Sequence, residues 1–434
     1  MTERLGAVVS TETPGALEST PVPAAAAPAE PAPRSGLQTF RSLRHRDYRL
    51  LWFGTLFSGL GQWIQQATLG WLTYDLTGSA FLLGAVNGCR SLPLLLLGPF
   101  GGVAADRVDR RRLMLTTQVG LMLLSTVFAT LIILGQLRVW HIFAFTLLTG
   151  VSWAFNMPVR QSVVPNIVAR GDLMNAMALN AAGFNITRIL GPTVAGVLIA
   201  TLGPGENFYL QAAAYLGVSL MVLQLRIPPA PRAAHHSVRA NLKEGALFIW
   251  RHPTLRTQMS LALVPVVVAL PYTSLMPIFA SDVLDVGPTG FGLLMSAPGV
   301  GAVIGTLTIA SLESIERKGL LMLGAVFGLG ASLVAFSLSR SFLLSLLLLI
   351  VVGAVQMVYM TTNQTLIQLT TPDHLRGRIM GVYMLNQGLL PLGSLLAGTL
   401  AGLFGAPLAV SLMGVLVALL AQGFAAHSRT LRGM

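Results

Sequence analysis

The sequence predicts an all-α polytopic membrane protein in which twelve transmembrane helices form two six-helix, pseudo-symmetric bundles. Three observations predict this fold class: long apolar runs, few charges and one long break near the middle of the chain. Charged residues make up 10% of the 434 residues, hydrophobic residues make up 53%, and the mean hydropathy is +0.70. A soluble fold of this composition would leave too much apolar surface uncovered. We therefore expect the lipid bilayer to surround the protein.

Twelve apolar runs are each long enough to cross a bilayer core as a helix, which takes about 20 residues. Short basic or Gly/Pro-rich connections separate them. The runs are 49–73, 80–104, 113–135, 139–159, 175–202, 206–226, 256–281, 288–311, 319–338, 341–363, 378–403 and 405–426.

The longest break between runs divides the chain into six spans plus six. The predicted regions are a disordered N-terminal tail at 1–40, an N-terminal bundle at 41–226, a linker at 227–255, a C-terminal bundle at 256–426 and a C-terminal tail at 427–434. The first tail has no apolar periodicity and cannot offset its ordering entropy. The linker is either a short surface helix, with Leu242, Ala246 and Ile249 on its apolar face, or an irregular loop.

The basic residues are distributed unevenly. Of the 28 Lys and Arg residues, 24 fall in the tails, in the even-numbered gaps or at the span ends that border them, 2 in the odd-numbered gaps and 2 deep inside spans. The positive-inside rule then predicts a cytoplasmic (inner) membrane protein with both termini in the cytoplasm. The net charge of +12 does not indicate nucleic-acid binding, because the basic residues are scattered over short loops that face lipid headgroups. We expect a monomer.

The two halves resemble each other when the sequence is shifted by 202 residues. The shift superposes Leu173 on Leu375, Gly191 on Gly393 and Gly196 on Gly398. Each set runs from a basic loop into the fifth span of its half. Parallel half-repeats of this kind are typical of secondary transporters, in which the substrate site lies between the halves near the bilayer midplane.

The most specific local motif is the 101–112 loop between spans two and three, Gly-Gly-Val-Ala-Ala-Asp-Arg-Val-Asp-Arg-Arg-Arg. It resembles the loop signature of the major facilitator superfamily, although Asp109 stands where that signature commonly has Gly. The resemblance implies a gate in which Asp106 meets the start of the eleventh span, where a helix N-terminus favours a carboxylate. The implied gating residues are Gly102, Asp106, Arg107, Arg110, Arg111, Arg376 and Arg378. The alternative is a solvated loop whose arginines only fix topology.

A second resemblance runs from Pro158 to Gly196 and includes the fifth-span motif Gly191, Pro192 and Gly196. It is similar to the enterobactin-exporter branch of the superfamily and to the fifth span of drug:proton antiporters, with Thr187 and Ala195 where the antiporter signature has Gly. The alternative for the motif is ordinary helix packing. The resemblance covers roughly residues 40 to 425. It implies export of siderophore-like or drug-like amphipathic molecules by alternating access, with protons as the coupling ion.

In the superfamily's architecture, spans one, four, seven and ten line the central cavity, and this chain places polar and aromatic side chains there. These are Gln62, Trp63, Gln65, Gln66, Asn156, Tyr272, Gln356, Tyr359 and Asn363. An unpaired amide in hydrocarbon costs several kcal/mol, so each should face a wet cavity or another helix. Mixed amide and aromatic walls favour an amphipathic, partly aromatic substrate.

Two arginines, Arg90 and Arg188, are the charges that the predicted spans place deep in the membrane. All 16 Asp and Glu residues fall in tails, loops or span ends. The arginines therefore need carbonyls, amides, water or an anionic substrate group, such as a carboxylate or catecholate, as partners. Asp75, at the end of span one, is the first candidate for proton coupling; otherwise it is a loop-boundary residue.

Three prolines recur every six residues in span seven, Pro265, Pro271 and Pro277, and should soften that helix during gating. Pro93 and Pro391 should do the same in spans two and eleven. The alternative is that packed spans merely tolerate proline. The single cysteine, Cys89, excludes a disulfide framework.

The chain lacks a phosphate-binding loop, a His-Glu-x-x-His motif and a Gly-x-Ser-x-Gly motif. We therefore expect no enzyme activity, no cofactor and no metal. The alternatives within the fold are a lipid or lysophospholipid flippase or a small-molecule importer. The alternative from another class is a membrane ligand-binding or scaffold protein that transports nothing.

Overall fold

The computed structural model describes residues 39–227, 238–311 and 317–433, and every regular element in those ranges is a helix. The first half contains α1 (Arg46–Thr77), α2 (Ala80–Arg107), α3 (Arg110–Ile133), α4 (Val139–Ile167), α5 (Leu173–Thr201) and α6 (Pro204–Gln224). A separate helix, α7 (Val238–Arg251), precedes the second half. The second half contains α8 (Pro253–Val264), α9 (Gly287–Ser311), α10 (Lys318–Leu338), α11 (Phe342–Thr370), α12 (Arg376–Gln387), α13 (Leu390–Phe404) and α14 (Ala406–His427).

Ten helical segments of the described ranges are long and apolar enough to cross a membrane. Helices α1 and α6 are not among them, although their 32 and 21 residues would span about 48 Å and about 32 Å. Helix α1 carries several polar side chains, including the three glutamines that the sequence assigns to a cavity. The all-helical membrane fold is confirmed, and the count of twelve spans stays a prediction.

The seventh span is broken where its prolines occur. Helix α8 ends at Val264, a π-helical turn covers Pro265–Ala269, and a 3₁₀ turn covers Leu270–Leu275. Span eleven is likewise divided into α12 and α13, two residues before Pro391. Helix α2 runs unbroken through Pro93. The predicted softening therefore has a structural basis in spans seven and eleven, because a proline removes a backbone hydrogen bond.

The linker contains a helix, as the first of its two alternatives predicted. Gly245 and Ile249 of α7 are buried against the start of α12, and Glu244 forms an ion pair with Arg378. Ala246, which the sequence placed on the apolar face, is exposed. The buried face of α7 includes Gly245. A methyl group at this position would lie 2.9 Å from the Arg378 carbonyl oxygen, so the close packing requires glycine.

The end of the protein at which α1 begins is called the proximal end. The opposite end, at which α1 finishes, is called the distal end. At the proximal end, the carboxylate of Asp172 joins α1 to α5. It pairs with Arg41 Nε at 2.7 Å and with His45 Nε2 at 2.8 Å. Within the first half, α1 packs on α5 and α6, α2 on α4, and α3 on α4 and α6.

The two halves meet through two equivalent pairs of helices, α5 with α9 and α2 with α13. Gly196 of α5 lies against Pro288 and Gly292 of α9, near the distal end. Gly398 of α13 lies against Gly84 of α2. Positions 196 and 398 are the ones that the 202-residue shift superposes, so the two glycines make equivalent contacts with the opposite half. Small residues at these positions let the backbones approach closely.

Replacing Gly398 by Ala should destabilise the protein. The added methyl would lie 2.7 Å from the Ala80 carbonyl oxygen and 3.0 Å from Gly84 Cα, and overpacking of this kind costs typically about 1–3 kcal/mol. The matched control is Gly402→Ala, one turn along the same helix, where a methyl meets nothing within 4 Å. Melting of the purified protein in detergent should occur at lower temperature for Gly398→Ala and be unchanged or higher for Gly402→Ala. Equal melting temperatures for both variants would contradict the packing argument.

Candidate functional site

The loop motif joins α2 to α3 at the proximal end. Helix α2 includes positions 102, 106 and 107, but the side chains of Asp106 and Arg107, and the surroundings of Gly102, lie outside the described residues. Asp109 caps α3, because its Oδ1 accepts a hydrogen bond from the Arg112 backbone N–H at 2.8 Å. The residue that replaces the usual Gly therefore starts the next helix.

The next arginines of the motif join helices within the first half. Arg110 donates from Nη1 to the Ser162 carbonyl of α4 at 3.4 Å. Arg111 donates from Nε to the Val222 carbonyl of α6 at 3.2 Å and also bonds the Leu223 carbonyl. The last carbonyls of a helix lack partners within it, and Arg111 bonds two of them at the end of α6.

The arginines at the start of α12 bind acidic residues of the second half and the linker helix. Arg376 Nη2 lies 2.7 Å from Asp373 Oδ1, and Arg378 pairs with Glu244. The predicted meeting of this segment with Asp106 stays a prediction.

The first half contains a cavity at mid-depth between α1, α2 and α4. Gln62, Gln65, Gln66, Leu69, Arg90, Thr149 and Trp153 line it. Its water-accessible volume is about 10 Å³, room for about one water molecule. A drug-sized ligand needs roughly 300–1,000 Å³, so this space holds at most one polar group of a substrate in the conformation seen here.

A similar cavity lies in the second half between span seven, α11 and α12. Its lining residues are Ala262, Pro265, Val266, Leu270, Gln356, Tyr359, Met360, Tyr383 and Asn386. Its water-accessible volume is also about 10 Å³. The structure thus brings glutamines of spans one and ten to small internal cavities, one in each half.

Two of the predicted cavity residues form hydrogen bonds with neighbouring helices, and one of them, Gln65, also lines the first-half cavity. Gln65 Oε1 accepts a hydrogen bond from Gln211 Nε2 of α6 at 2.7 Å, and Asn156 Nδ2 donates to Thr117 Oγ1 of α3 at 2.7 Å. Asn363 is fully buried. Trp63 packs on Gly191, so the fifth-span motif contacts α1.

A third arginine lies deep in a span, contrary to the sequence prediction of only two. The fourth span was expected to end at 159, but α4 continues through Pro165 to Ile167 and so contains Arg160. Arg90 and Arg160 both interact electrostatically with the buried Tyr215 of α6. Val159, Val163 and Val164, which are all buried, are the sequence signal that could have extended the span past Arg160.

Arg188 lies at the boundary between the halves, next to Tyr272 of span seven and beside Gly299 of α9. Asn185, three residues earlier, donates its amide hydrogen to the Ala181 carbonyl of its own helix. Asn87 does the same with Leu83. Among the described residues, neither Arg90 nor Arg188 has a hydrogen bond or an ion pair.

The distal end carries a polar contact between the halves. The Tyr74 hydroxyl of α1 donates a hydrogen bond to Asp282, and the Trp71 ring lies 5.5 Å from the Phe291 ring, centroid to centroid. Asp75 is exposed at this end. The distal contacts therefore close the interface between the halves, while Asp75 faces away from the polar interior.

The comparisons with known proteins agree in naming transporters. A family model described as "Transmembrane secretion effector" matches residues 37–434. The staphyloferrin A transporter of Staphylococcus aureus is 28% identical over 359 residues, 82% of this chain and 90% of that protein. The multidrug efflux pump Tap of Mycolicibacterium fortuitum is 30% identical over 386 residues, covering 86% and 94%. The enterobactin exporter EntS of Shigella flexneri is 27% identical over 320 residues, covering 72% and 71%.

Solved structures share the fold at low sequence identity. A bacterial homologue of the human lysosomal transporter Spinster, solved in an inward-facing and occupied conformation, superposes with a TM-score of 0.71 at 14% identity, covering 89% of this chain and 98% of that one. The nucleoside transporter NupG superposes with a TM-score of 0.69 at 15% identity, covering 87% and 98%.

Replacing Tyr74 by Phe should open the distal end more often. The variant loses the hydrogen bond to Asp282, which is worth about 1 kcal/mol, a population change of roughly fivefold. Leu76 and Thr289 are both exposed near that contact. Spin labels on cysteines at these two positions, in a Cys89→Ser background, should show a larger population at the longer label-to-label distance. The control is Tyr209→Phe, whose hydroxyl bonds Thr130 within the first half at 2.9 Å. The same distances in wild type and Tyr74→Phe would contradict the assignment.

Proposed function

The chain belongs to the transmembrane secretion effector family of the major facilitator superfamily, and we propose that it exports amphipathic small molecules by alternating access. The functions for which its relatives are named, siderophore transport and multidrug efflux, support a siderophore-like or drug-like substrate. The protein is a multi-pass protein of the inner membrane.

One observation carries the proposal: two equivalent helix pairs hold the halves together from the distal end to about mid-depth. Gly196 meets Gly292 near the distal end of one pair, and Arg188 meets Gly299 near the middle of the same pair. The polar cavities lie at this middle level. A site between two halves that are closed at one end is the arrangement that alternating access requires.

The proximal end is the cytoplasmic face in this proposal. It carries the basic α2–α3 loop and the basic residues at the starts of α5, α10 and α12. In the described ranges, the basic residues of the distal loops are only Arg138 and Arg340. By the positive-inside rule, this distribution supports a cytoplasmic position for both termini. The conformation described here is closed toward the outside.

We propose that an anionic group of the substrate contacts Arg188, with protons as the coupling ion. Arg188 is only partly buried, has no described acidic partner and lies at the boundary between the halves. Contact with backbone carbonyls between packed helices is the alternative role for this side chain. The transporter acts as a monomer in this proposal.

Replacing Asp106 by Asn should abolish most transport while expression and membrane insertion stay intact. Only the charge that biases the two conformations is removed. The measurement is uptake of an amphipathic fluorescent dye into inverted membrane vesicles, which corresponds to export from a cell. The control is Asp109→Asn in the same loop, because Asn caps a helix nearly as well as Asp. Uptake by Asp106→Asn at the wild-type rate would contradict the gating role of Asp106. Dye movement only in the opposite direction would indicate an importer.

Replacing Asp75 by Asn tests its role in proton coupling. If Asp75 carries the proton, the purified variant in liposomes should still exchange substrate but fail to accumulate it when a proton gradient is imposed. Asp282→Asn is the comparison, since Asp282 shares the distal end and bonds Tyr74. Accumulation by Asp75→Asn at the wild-type level would rule out Asp75 as the carrier.

A further inference from the structure

A cavity at the distal end of the first half lies apart from the polar interior. It is formed where α3 ends and α4 begins, and its water-accessible volume is about 430 Å³. The side chains that line it are Leu131, Gln136, Leu137, Arg138, Trp140 and His141. Binding sites for small molecules occupy roughly 300–1,000 Å³, so this cavity, unlike the two interior ones, has room for a ligand the size of a lipid headgroup.

The backbone of this turn is fixed by hydrogen bonds at the end of α3. Gly135 has a φ of 67°, and its N–H donates to the Ile132 carbonyl at 3.0 Å. The Gln136 N–H donates to the Leu131 carbonyl, also at 3.0 Å. These two bonds form the helix ending that a glycine with positive φ allows. The cavity is therefore present before any ligand binds, which lowers the entropic cost of binding.

The polar side chains of the cavity supply hydrogen-bond donors, and none of them is acidic. Arg138 carries a permanent positive charge. Its backbone N–H donates to His141 Nδ1 at 3.0 Å, so Nδ1 is unprotonated and the ring proton lies on Nε2. The Trp140 indole N–H is a further donor. A positively charged cavity with several donors favours an oxyanion such as a phosphate group.

In the described part of the chain, no carboxylate from a neighbouring helix neutralises Arg138. Helices α3 and α4 contain no acidic residue. Helix α6, which packs on α3, carries Glu206 at its distal end. The Glu206 carboxylate turns toward the start of its own helix, because Oε2 lies 2.9 Å from the position that a Cβ at Gly203 would occupy. Arg138 forms no ion pair with a described residue.

The cavity opens on the apolar, exposed side of α3. Leu123 and Val127 are 56% and 59% exposed, and they lie on the same face of the helix as Leu131 because residues four apart are neighbours. Trp140 is 61% exposed at the start of α4, and exposed tryptophans are typical of the level where hydrocarbon meets headgroups. An apolar path along α3 thus leads to the donors at its end. This arrangement fits an anion that carries acyl chains better than a free inorganic anion.

We propose that this cavity binds the phosphate group of an anionic phospholipid in the membrane leaflet at the distal end. Arg138, His141 Nε2 and the Trp140 indole donate to the phosphate oxygens, and these hydrogen bonds are charge-assisted because the acceptor is ionised. The acyl chains lie along the exposed face of α3. A basic pocket at the end of a membrane span is a suitable site for an anionic headgroup. The site is separate from the interior cavities, so it does not depend on the proposed export function.

The test is equilibrium binding of dihexanoylphosphatidylglycerol, a short-chain anionic lipid, to the purified full-length protein in a non-ionic detergent. Dihexanoylphosphatidylcholine has the same chains and phosphate without a net charge, and glycerol 3-phosphate has the anionic group without the chains. Wild type should bind the phosphatidylglycerol more tightly than either comparison probe. Arg138→Gln should weaken this binding by about 10-fold to 100-fold and remove the preference over phosphatidylcholine. The control Arg340→Gln, an exposed arginine of another distal loop, should bind all three probes as wild type does.

Two further variants separate the charge from the other contacts. Arg138→Lys keeps the charge but loses the planar fork of donors, so it should keep the preference for phosphatidylglycerol and lose affinity a few-fold. Trp140→Ala should weaken both lipids by a similar factor, because the contact that it removes does not depend on the net charge of the headgroup. These variants carry the test if Arg138→Gln fails to elute as a single species on size exclusion.

Three results would overturn the proposal. The first is equal affinity of wild type for the phosphatidylglycerol and the phosphatidylcholine. The second is the same loss of phosphatidylglycerol affinity in Arg340→Gln as in Arg138→Gln, which would show a general effect of charge at the distal end. The third is binding of glycerol 3-phosphate as tight as that of the phosphatidylglycerol, which would assign the cavity to a free anion and exclude a lipid.

Discussion

The rest of the structure depends on the close approach of backbones where the halves meet. Gly84 faces Gly398, and Gly196 faces Gly292, at distances that leave no room for a Cβ atom. Lipid provides little hydrophobic drive for helix association, so close packing of small residues holds such helices together. Because the two pairs are equivalent under the half-repeat, the halves meet symmetrically. The polar interior is therefore closed at one end by close packing of glycines, together with the Tyr74–Asp282 hydrogen bond.

The closed distal end bears on the role of the arginines in the interior. Arginines at mid-depth are costly in hydrocarbon and occur where protein or water surrounds them. Arg188 lies at the boundary between the halves, whereas Arg90 and Arg160 lie within the first half. The second-half cavity is lined instead by Tyr359, Tyr383 and amides, which suits an aromatic or neutral part of a substrate.

Sequence reasoning located the helices well because apolar length is a strong signal, and it located the half-repeat because glycines recur at a fixed shift. It predicted the hydrogen-bond partners of buried polar side chains less well. Gln65 and Asn156 were both assigned to a cavity. Gln65 lines the first-half cavity and also bonds α6, whereas Asn156 bonds α3, and only the packing of α6 and α3 decides these bonds. Arg160 was missed because the apolar run of span four was taken to end at residue 159, one residue before it. The Tyr74–Asp282 bond joins residues far apart in sequence, for which no local pattern exists.

The residues of the 101–112 loop motif act within the first half and, in the proposed gate, between the two halves. Asp109 and the two arginines that follow it fix α3 to its neighbours inside the first half, so they hold that half together whichever way the halves tilt. Arg378, on the other half, is held by Glu244 of the linker helix in the conformation described here. A guanidinium has five donors and can serve more than one carboxylate. If Asp106 reaches the start of α12 when the proximal end closes, it meets an arginine already positioned by the linker helix. The linker helix would then support the gate through its close packing on α12 at Gly245.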